Sequence, residues 1–143
     1  MIREFANLDG RTADVTTNAQ LVRETLTAAD PPVRFVIAEA DGVAAGFASF
    51  YGTYSTASAR RRLWLEDLYV REPWQRRGVG RALMRHVAGV AIASECTAID
   101  WSVGAENQDA LAFYASVGAP VRERTRLCRM KEAAITAPVA GYR

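Results

Sequence analysis

Apolar and polar positions change rhythm several times along the chain, and each change marks an element. Phe35–Ala40 reads as a strand, Asp41-Gly42 as a hairpin turn and Val43–Tyr51 as the returning strand. Gly52–Arg61 reads as a polar loop carrying Tyr54, and Leu63–Val70 is the clearest strand. The period then lengthens. Val79, Leu83, Val87 and Ala91, with Met84 and Ala88 beside them, predict a helix from Val79 to Ser94. Thr97–Val103 returns to a strand pattern. Asn107–Val117 is a shorter helix, stopped by Gly118 with Pro120 close behind. Val121–Met130 predicts a last strand, and Lys131–Arg143, with Pro138 and Gly141, a flexible tail. The first thirty residues are weakly patterned. Ile2–Ala6 predicts a short strand, and Thr17 caps a helix bearing Leu21, Val22 and Leu26 that ends before Pro31-Pro32.

Strand, helix, strand in the middle is a βαβ unit, whose strands run parallel through a right-handed crossover. The earlier hairpin is antiparallel, so the sheet is mixed. The expected class is α/β (α+β by some schemes), with a mixed central sheet flanked by helices. At 143 residues and 15.7 kDa the chain suits one domain spanning 1–143, with its core at 35–130.

Composition narrows the chemistry. Hydrophobic residues at 50% and charged residues at 24% are an ordinary globular balance. A net charge of +2 does not call for a nucleic-acid partner. The one lysine, Lys131, sits outside any Gly-Lys-Ser/Thr phosphate loop. His86 stands alone, and Cys96 and Cys128 are far apart, so no metal site is expected. No Gly-x-Ser-x-Gly occurs, which argues against a serine hydrolase. No apolar run reaches membrane-spanning length, and Met1–Phe5 does not read as a signal peptide. Widely spaced cysteines fit a reducing, cytoplasmic setting.

The turn Gln75-Arg76-Arg77-Gly78-Val79-Gly80 joins the clearest strand to the long helix. Glycines let backbone amides approach a ligand, and a helix start directs unpaired N–H groups and a positive dipole end outward. Arg76, Arg77 and Arg81 add full charges. One reading is a diphosphate cradle; the other is a tight turn with solvated arginines, and the glycines alone leave both open. A dinucleotide fingerprint is incomplete, because Leu83 occupies the third glycine position.

Three motifs in order carry a resemblance. Leu65-Glu66-Asp67-Leu68-Tyr69-Val70, the Gln75–Gly80 turn, and Asn107 through Phe113-Tyr114 to Gly118-Ala119 are together similar to the GNAT acetyltransferase superfamily. Gly46-Phe47, Tyr54-Ser55-Thr56 and the Leu-Glu-Asp-Leu-Tyr-Val run resemble its diamine (spermidine/spermine) N-acetyltransferase branch. The resemblance implies a sheet that splays after the strand ending at Val70, with acetyl-CoA entering the splay. It implies that Leu68, Tyr69 and Val70 pair with the pantetheine arm. Arg76, Arg77, Gly78, Val79, Gly80 and Arg81 would hold the diphosphate, and Asn107, Gln108, Asp109 and Ala110 would also touch the cofactor. It implies a small-molecule amine acceptor, among which a polyamine or diamine, and a homodimer.

Acetyl transfer to an amine needs a base, a stabilised thioester oxygen and an acid for the departing thiolate. Freeing an alkylamine of pKa about 10.4 at neutral pH costs about 4–5 kcal/mol, and a carboxylate is a natural proton acceptor. Strand alternation predicts that Glu66 and Asp67 point to opposite faces; the resemblance selects Glu66 as base. Tyr114 resembles the family's general acid, since a phenol stays protonated at neutral pH. Asn107 and Tyr114, seven residues apart, fall on nearly the same helix face, and Asn107 doubles as an N-cap. Phe113, with Ala110 and Val117, reads as core. Asp100, Glu106, Glu39 and Glu66 are candidate partners for a cationic acceptor, and Tyr51, Tyr54 and Trp64 candidate aromatic faces. Two positions depart from the polyamine branch: Ser55 stands where an acidic residue is common, and Glu106 where tryptophan is. Arg60-Arg61-Arg62 would repel a polycation if it lined the site. The region before the first strand is short for the superfamily's usual pair of helices. Acceptors among amino acids, antibiotics or proteins, and a non-catalytic CoA-binding module, stand as alternatives.

Overall fold

The computed structural model describes residues 1–8, 10 and 15–135. They fall into two compact units, Met1–Trp101 and Ser102–Arg143.

The first unit holds helices α1 (Ile2–Leu8) and α2 (Ala19–Leu26), strands β1 (Arg34–Ala40), β2 (Val43–Ser55) and β3 (Arg60–Val70), helix α3 (Val79–Ala93) and strand β4 (Ile99–Asp100). The sheet order is β1-β2-β3-β4, antiparallel in the first two pairings and parallel in the last. This is the expected mixed sheet flanked by helices. Asp41 (φ +52) and Gly42 (φ +74) form the two-residue turn between β1 and β2, as the Asp-Gly signal predicts.

The core lies between the sheet and α3. Ala48, Phe50, Leu63 and Leu65 meet Leu83, Val87 and Ala91, whose four-residue spacing is one helix face. Complete burial of a side chain such as Leu83 stabilises by about 1.5–3 kcal/mol. Gly46 is required in this layer, because a Cβ there would lie 2.5 Å from the Tyr69 carbonyl oxygen.

On the other sheet face, Phe5 of α1 packs with Phe47 and Tyr69 at centroid distances of 6.4 and 5.9 Å, and Phe35 stacks on Phe47 at 6.0 Å. Ile2, Phe5 and Ala6 thus follow a helical i, i+3, i+4 pattern, and Ile2–Leu8 is a helix, not the expected strand. A fork of two hydrogen bonds from Arg71 to Glu4, 2.9 and 2.8 Å long, anchors α1 to the end of β3. The Tyr69 hydroxyl donates to the same carboxylate at 3.2 Å. The Arg71 hydrogen bond lowers the Glu4 pKa from 4.5 to about 2 against the opposing effect of burial. A depressed carboxyl pKa means stability that is complete above pH 4.5 and lost as pH falls toward 2. Because Glu4 remains half exposed, solvent screens the fork and its contribution to stability is modest. Glu4→Gln is expected to lower Tm by a few degrees at pH 7 and by progressively less below pH 4, measured by thermal melts across pH.

Other boundaries also differ from expectation. Asn18, not Thr17, caps α2, accepting from the amides of Gln20 and Leu21 at 2.9 Å. The expected loop Gly52–Arg61 shrinks to a turn at 56–59, since the ladder pairs Thr53 with Arg62 and Ser55 with Arg60. Backbone pairing outweighs the polarity of those side chains. The Thr97–Val103 strand is ordered as strand at Ile99–Asp100 alone.

The second unit holds α4 (Gln108–Ser116) and the short α5 (Glu132–Ile135). The expected strand Val121–Met130 is not one. Val121, Leu127 and Met130 are exposed, and no described strand of that unit offers it a ladder. The expected flexible tail is described through Ile135; its remaining residues, 136–143, lie outside the described residues.

Candidate active site

The site begins with an irregularity in β3. Ser49 faces Asp67 and Phe50 faces Leu65, so Glu66 is an extra residue with no partner on β2. Such a bulge reverses the alternation. Leu63 and Leu65 before it, and Leu68 and Val70 after it, all pack toward α3. Trp64, Asp67 and Tyr69 turn to the opposite face.

Glu66 belongs to that opposite face. Trp64 Nε1 donates to its Oε2 at 2.9 Å. Burial, followed by the charge and hydrogen bond of Glu66, raises the pKa of Tyr51, the strand partner of Trp64. Next to them the buried Ser49 hydroxyl donates to Asp67 Oδ2 at 2.6 Å. The expectation that Glu66 and Asp67 diverge is therefore wrong: the inserted residue brings both carboxylates to one face. Ser49 escaped the sequence reading, although alternation along β2 places it beside Tyr51.

β3 is also open along one edge. β4 pairs only with Leu63 and Trp64, and the remainder, Leu65–Val70, has no strand on that side among the described residues. Leu68, Tyr69 and Val70 thus sit where an extended chain could add to the sheet through backbone hydrogen bonds.

The strand leads directly into the arginine and glycine turn. Gln75 Nε2 donates to the Val70 carbonyl at 3.0 Å, and Arg77 lies over the Trp74 ring, 5.4 Å from its centroid. Arg76 (φ +58) and Gly78 (φ +86) both adopt left-handed backbone, a conformation that stores strain at a non-glycine residue. Gly78 is the N-cap of α3 and supplies no side-chain cap. The amides of Val79 and Gly80 open the helix, no acidic residue stands in its first turn, and Arg81 does. The arrangement suits a diphosphate: backbone donors, the dipole of a 15-residue helix and exposed arginines.

The second unit carries the remaining expected residues. Asn107 caps α4, its side chain accepting from the Ala110 amide at 3.1 Å, which places Gln108, Asp109 and Ala110 in the first turn. Tyr114 lies two turns on, half-buried, with its ring edge-on to Phe113 at 5.4 Å. Burial raises the pKa of its hydroxyl above the ordinary 10.0.

Among the described residues no group of His, Cys, Asp and Glu could hold a metal ion, and no helix is long and apolar enough to cross a membrane.

Residues 2–119 match the Acetyltransferase (GNAT) family. The chain is 36% identical over 97 residues to an L-ornithine N5-acetyltransferase of Arabidopsis thaliana, a match covering 68% of this chain and 42% of that protein. It is 31% identical over 117 residues to a thialysine N-epsilon-acetyltransferase of Caenorhabditis elegans, covering 82% and 71% respectively. The chain therefore spans less than half the length of the Arabidopsis relative. Among solved structures, an aminoglycoside acetyltransferase from an uncultured soil metagenomic sample superposes with a TM-score of 0.76 at 18% identity, covering 91% of this chain and 84% of that one. An integron cassette protein from the mobile metagenome of V. cholerae gives 0.75 at 23% identity, covering 92% and 83%. At these identities the two structures share the fold.

Proposed function

Because this chain belongs to the GNAT acetyltransferase family, we propose that it transfers the acetyl group of acetyl-CoA to a primary amine of a small molecule by direct attack on the thioester. The observation that carries this reading is the edge of β3, unpaired among the described residues, running into a helix whose N-cap Gly78 offers no side-chain cap, with a carboxylate held on the face beside it. Acetyl-CoA supplies the activated acyl group and a thiol leaving group.

The residues divide the work. The Leu68–Val70 backbone holds the extended arm of the cofactor, and one of its amides faces the thioester oxygen. Arg76, Arg77, Arg81 and the amides of Gly78, Val79 and Gly80 hold the diphosphate. Asn107, Gln108, Asp109 and Ala110 form the second cofactor contact. Glu66 takes the ammonium proton, directly or through water, and is kept in place by Trp64 and Tyr51. The amine nitrogen then bonds to the carbonyl carbon, the carbon–sulfur bond breaks, and the Tyr114 hydroxyl donates its proton to the sulfur; the nitrogen's second proton is released and, through water, restores the Tyr114 hydroxyl.

Two carboxylates on one face suit a cationic amine such as a diamine or polyamine. The relatives named for ornithine and thialysine widen the class to amines carried on amino acids. A homodimer, implied by the resemblance to the diamine branch, is part of this proposal. So is a reducing, cytoplasmic setting, supported by two free cysteines, Cys96 and Cys128. Thiol release from acetyl-CoA is expected with at least one member of a panel of diamines, polyamines, basic amino acids and aminoglycosides. Saturable acetyl-CoA binding with no release for any acceptor would instead support a non-catalytic module.

A further inference from the structure

The face bearing Glu66 continues past Trp64 to an ion pair. Arg62 lies two residues before Trp64 on β3, with unbroken register between them, so both point the same way. Asp100 of β4 is the parallel partner of Trp64, and Asp100 Oδ2 accepts from Arg62 NH1 at 3.2 Å. Of the three consecutive arginines, Arg61 points to the other face; Arg60 shares this face but is exposed at the strand's start, and Arg62 is the half-buried one nearest Trp64.

The pair is loosely made. It rests on one hydrogen bond, and the two side chains are 31% and 33% exposed. Arg62 Nε is buried and has no partner among the described residues. A singly bonded, partly solvated pair adds little to stability. It does present a guanidinium and a carboxylate side by side, and an α-amino acid presents the complementary carboxylate and ammonium on one carbon. Asp100 is level with Trp64, two residues from Glu66 along β3, a rise of at most about 6.6 Å because Glu66 sits in the bulge; an amino-acid side chain of about three or four carbons ending in an amine spans it.

We propose that Arg62 and Asp100 are specificity-determining residues that read the zwitterionic head of a basic α-amino acid, Arg62 taking its carboxylate and Asp100 its α-ammonium, while its terminal amine reaches Glu66. This rests on the acetyltransferase reading above. A polyamine on the same face would set a second ammonium against Arg62, which disfavours it.

The test compares L-ornithine and L-lysine with their methyl esters and with their decarboxylated diamines, reading kcat and KM by thiol release. The wild type is expected to favour the free amino acid over ester and diamine by at least about tenfold in kcat/KM, mostly through KM. In Arg62→Leu that ratio is expected to fall to about one, because the carboxylate loses its partner. Equal rates for acid, ester and diamine in the wild type would overturn the proposal without any variant. So would an unchanged ratio in Arg62→Leu, or an equal loss for every acceptor. Turnover in either case would leave the acetyltransferase reading standing. Absence of thiol release with every acceptor, although acetyl-CoA binds, would remove that reading and this proposal together.

Discussion

In Tyr114→Phe, kcat is expected to fall about a hundredfold while acetyl-CoA affinity stays within about twofold. The substitution removes one oxygen and keeps the ring that packs on Phe113. In the proposed mechanism the cofactor is held by backbone amides and arginines, which the change does not touch. What would be lost is the proposed proton donor for the departing thiolate. Burial holds the Tyr114 hydroxyl protonated beyond the ordinary 10.0, so it carries the proton it is proposed to donate at neutral and mildly alkaline pH. The same shift means that the folded state loses stability as pH climbs through the raised value, since burial opposes the phenolate. Steady-state turnover paired with calorimetric titration of acetyl-CoA checks both halves. Turnover equal to the wild type would remove Tyr114 from proton donation.

Glu66→Gln is expected to cost about a hundredfold in kcat/KM at pH 7, with the deficit closing toward pH 9. Glutamine keeps an oxygen that can accept the 2.9 Å bond from Trp64 Nε1, so the local geometry survives. It cannot accept the ammonium proton. The variant then depends on amine already deprotonated in solution, whose fraction rises tenfold per pH unit below its pKa of about 10.4. With Glu66 as the base, the wild type is expected to draw on the abundant ammonium form and to show the shallower pH dependence. A ratio of wild type to variant that is flat from pH 7 to 9 would exclude Glu66 as the base.

Much of this site was legible in the chain. The strand to Val70, the turn at Gln75–Gly80 and the helix from Val79 follow from a change of period and from glycine placement. The structure has all three, with Gly78 in the left-handed region that glycine adopts without penalty. The Asp41-Gly42 hairpin and the Asn107 cap are equally local signals, and both are present. Local signals failed where the deciding partner was distant. Ile2–Ala6 is too short to separate a strand from a helix by pattern, and Phe5 settled the matter by packing on Phe47 and Tyr69. Val121–Met130 reads as a last strand, but a strand needs a neighbouring ladder, and no described strand of its unit supplies one.

Local order in the sequence therefore determined the elements around the Gln75–Gly80 turn, because glycine geometry, helical period and capping act within a few residues. Tertiary structure alone decided which side chains share the face that bears Glu66. Along a strand, direction alternates residue by residue, and the count restarts wherever pairing skips one. Pairing with β2 inserts Glu66 as an extra residue, and pairing with β4 brings Asp100 to Arg62. Neither partner is a chain neighbour, so no window of sequence around Glu66 contains the information that turns it and Asp67 the same way.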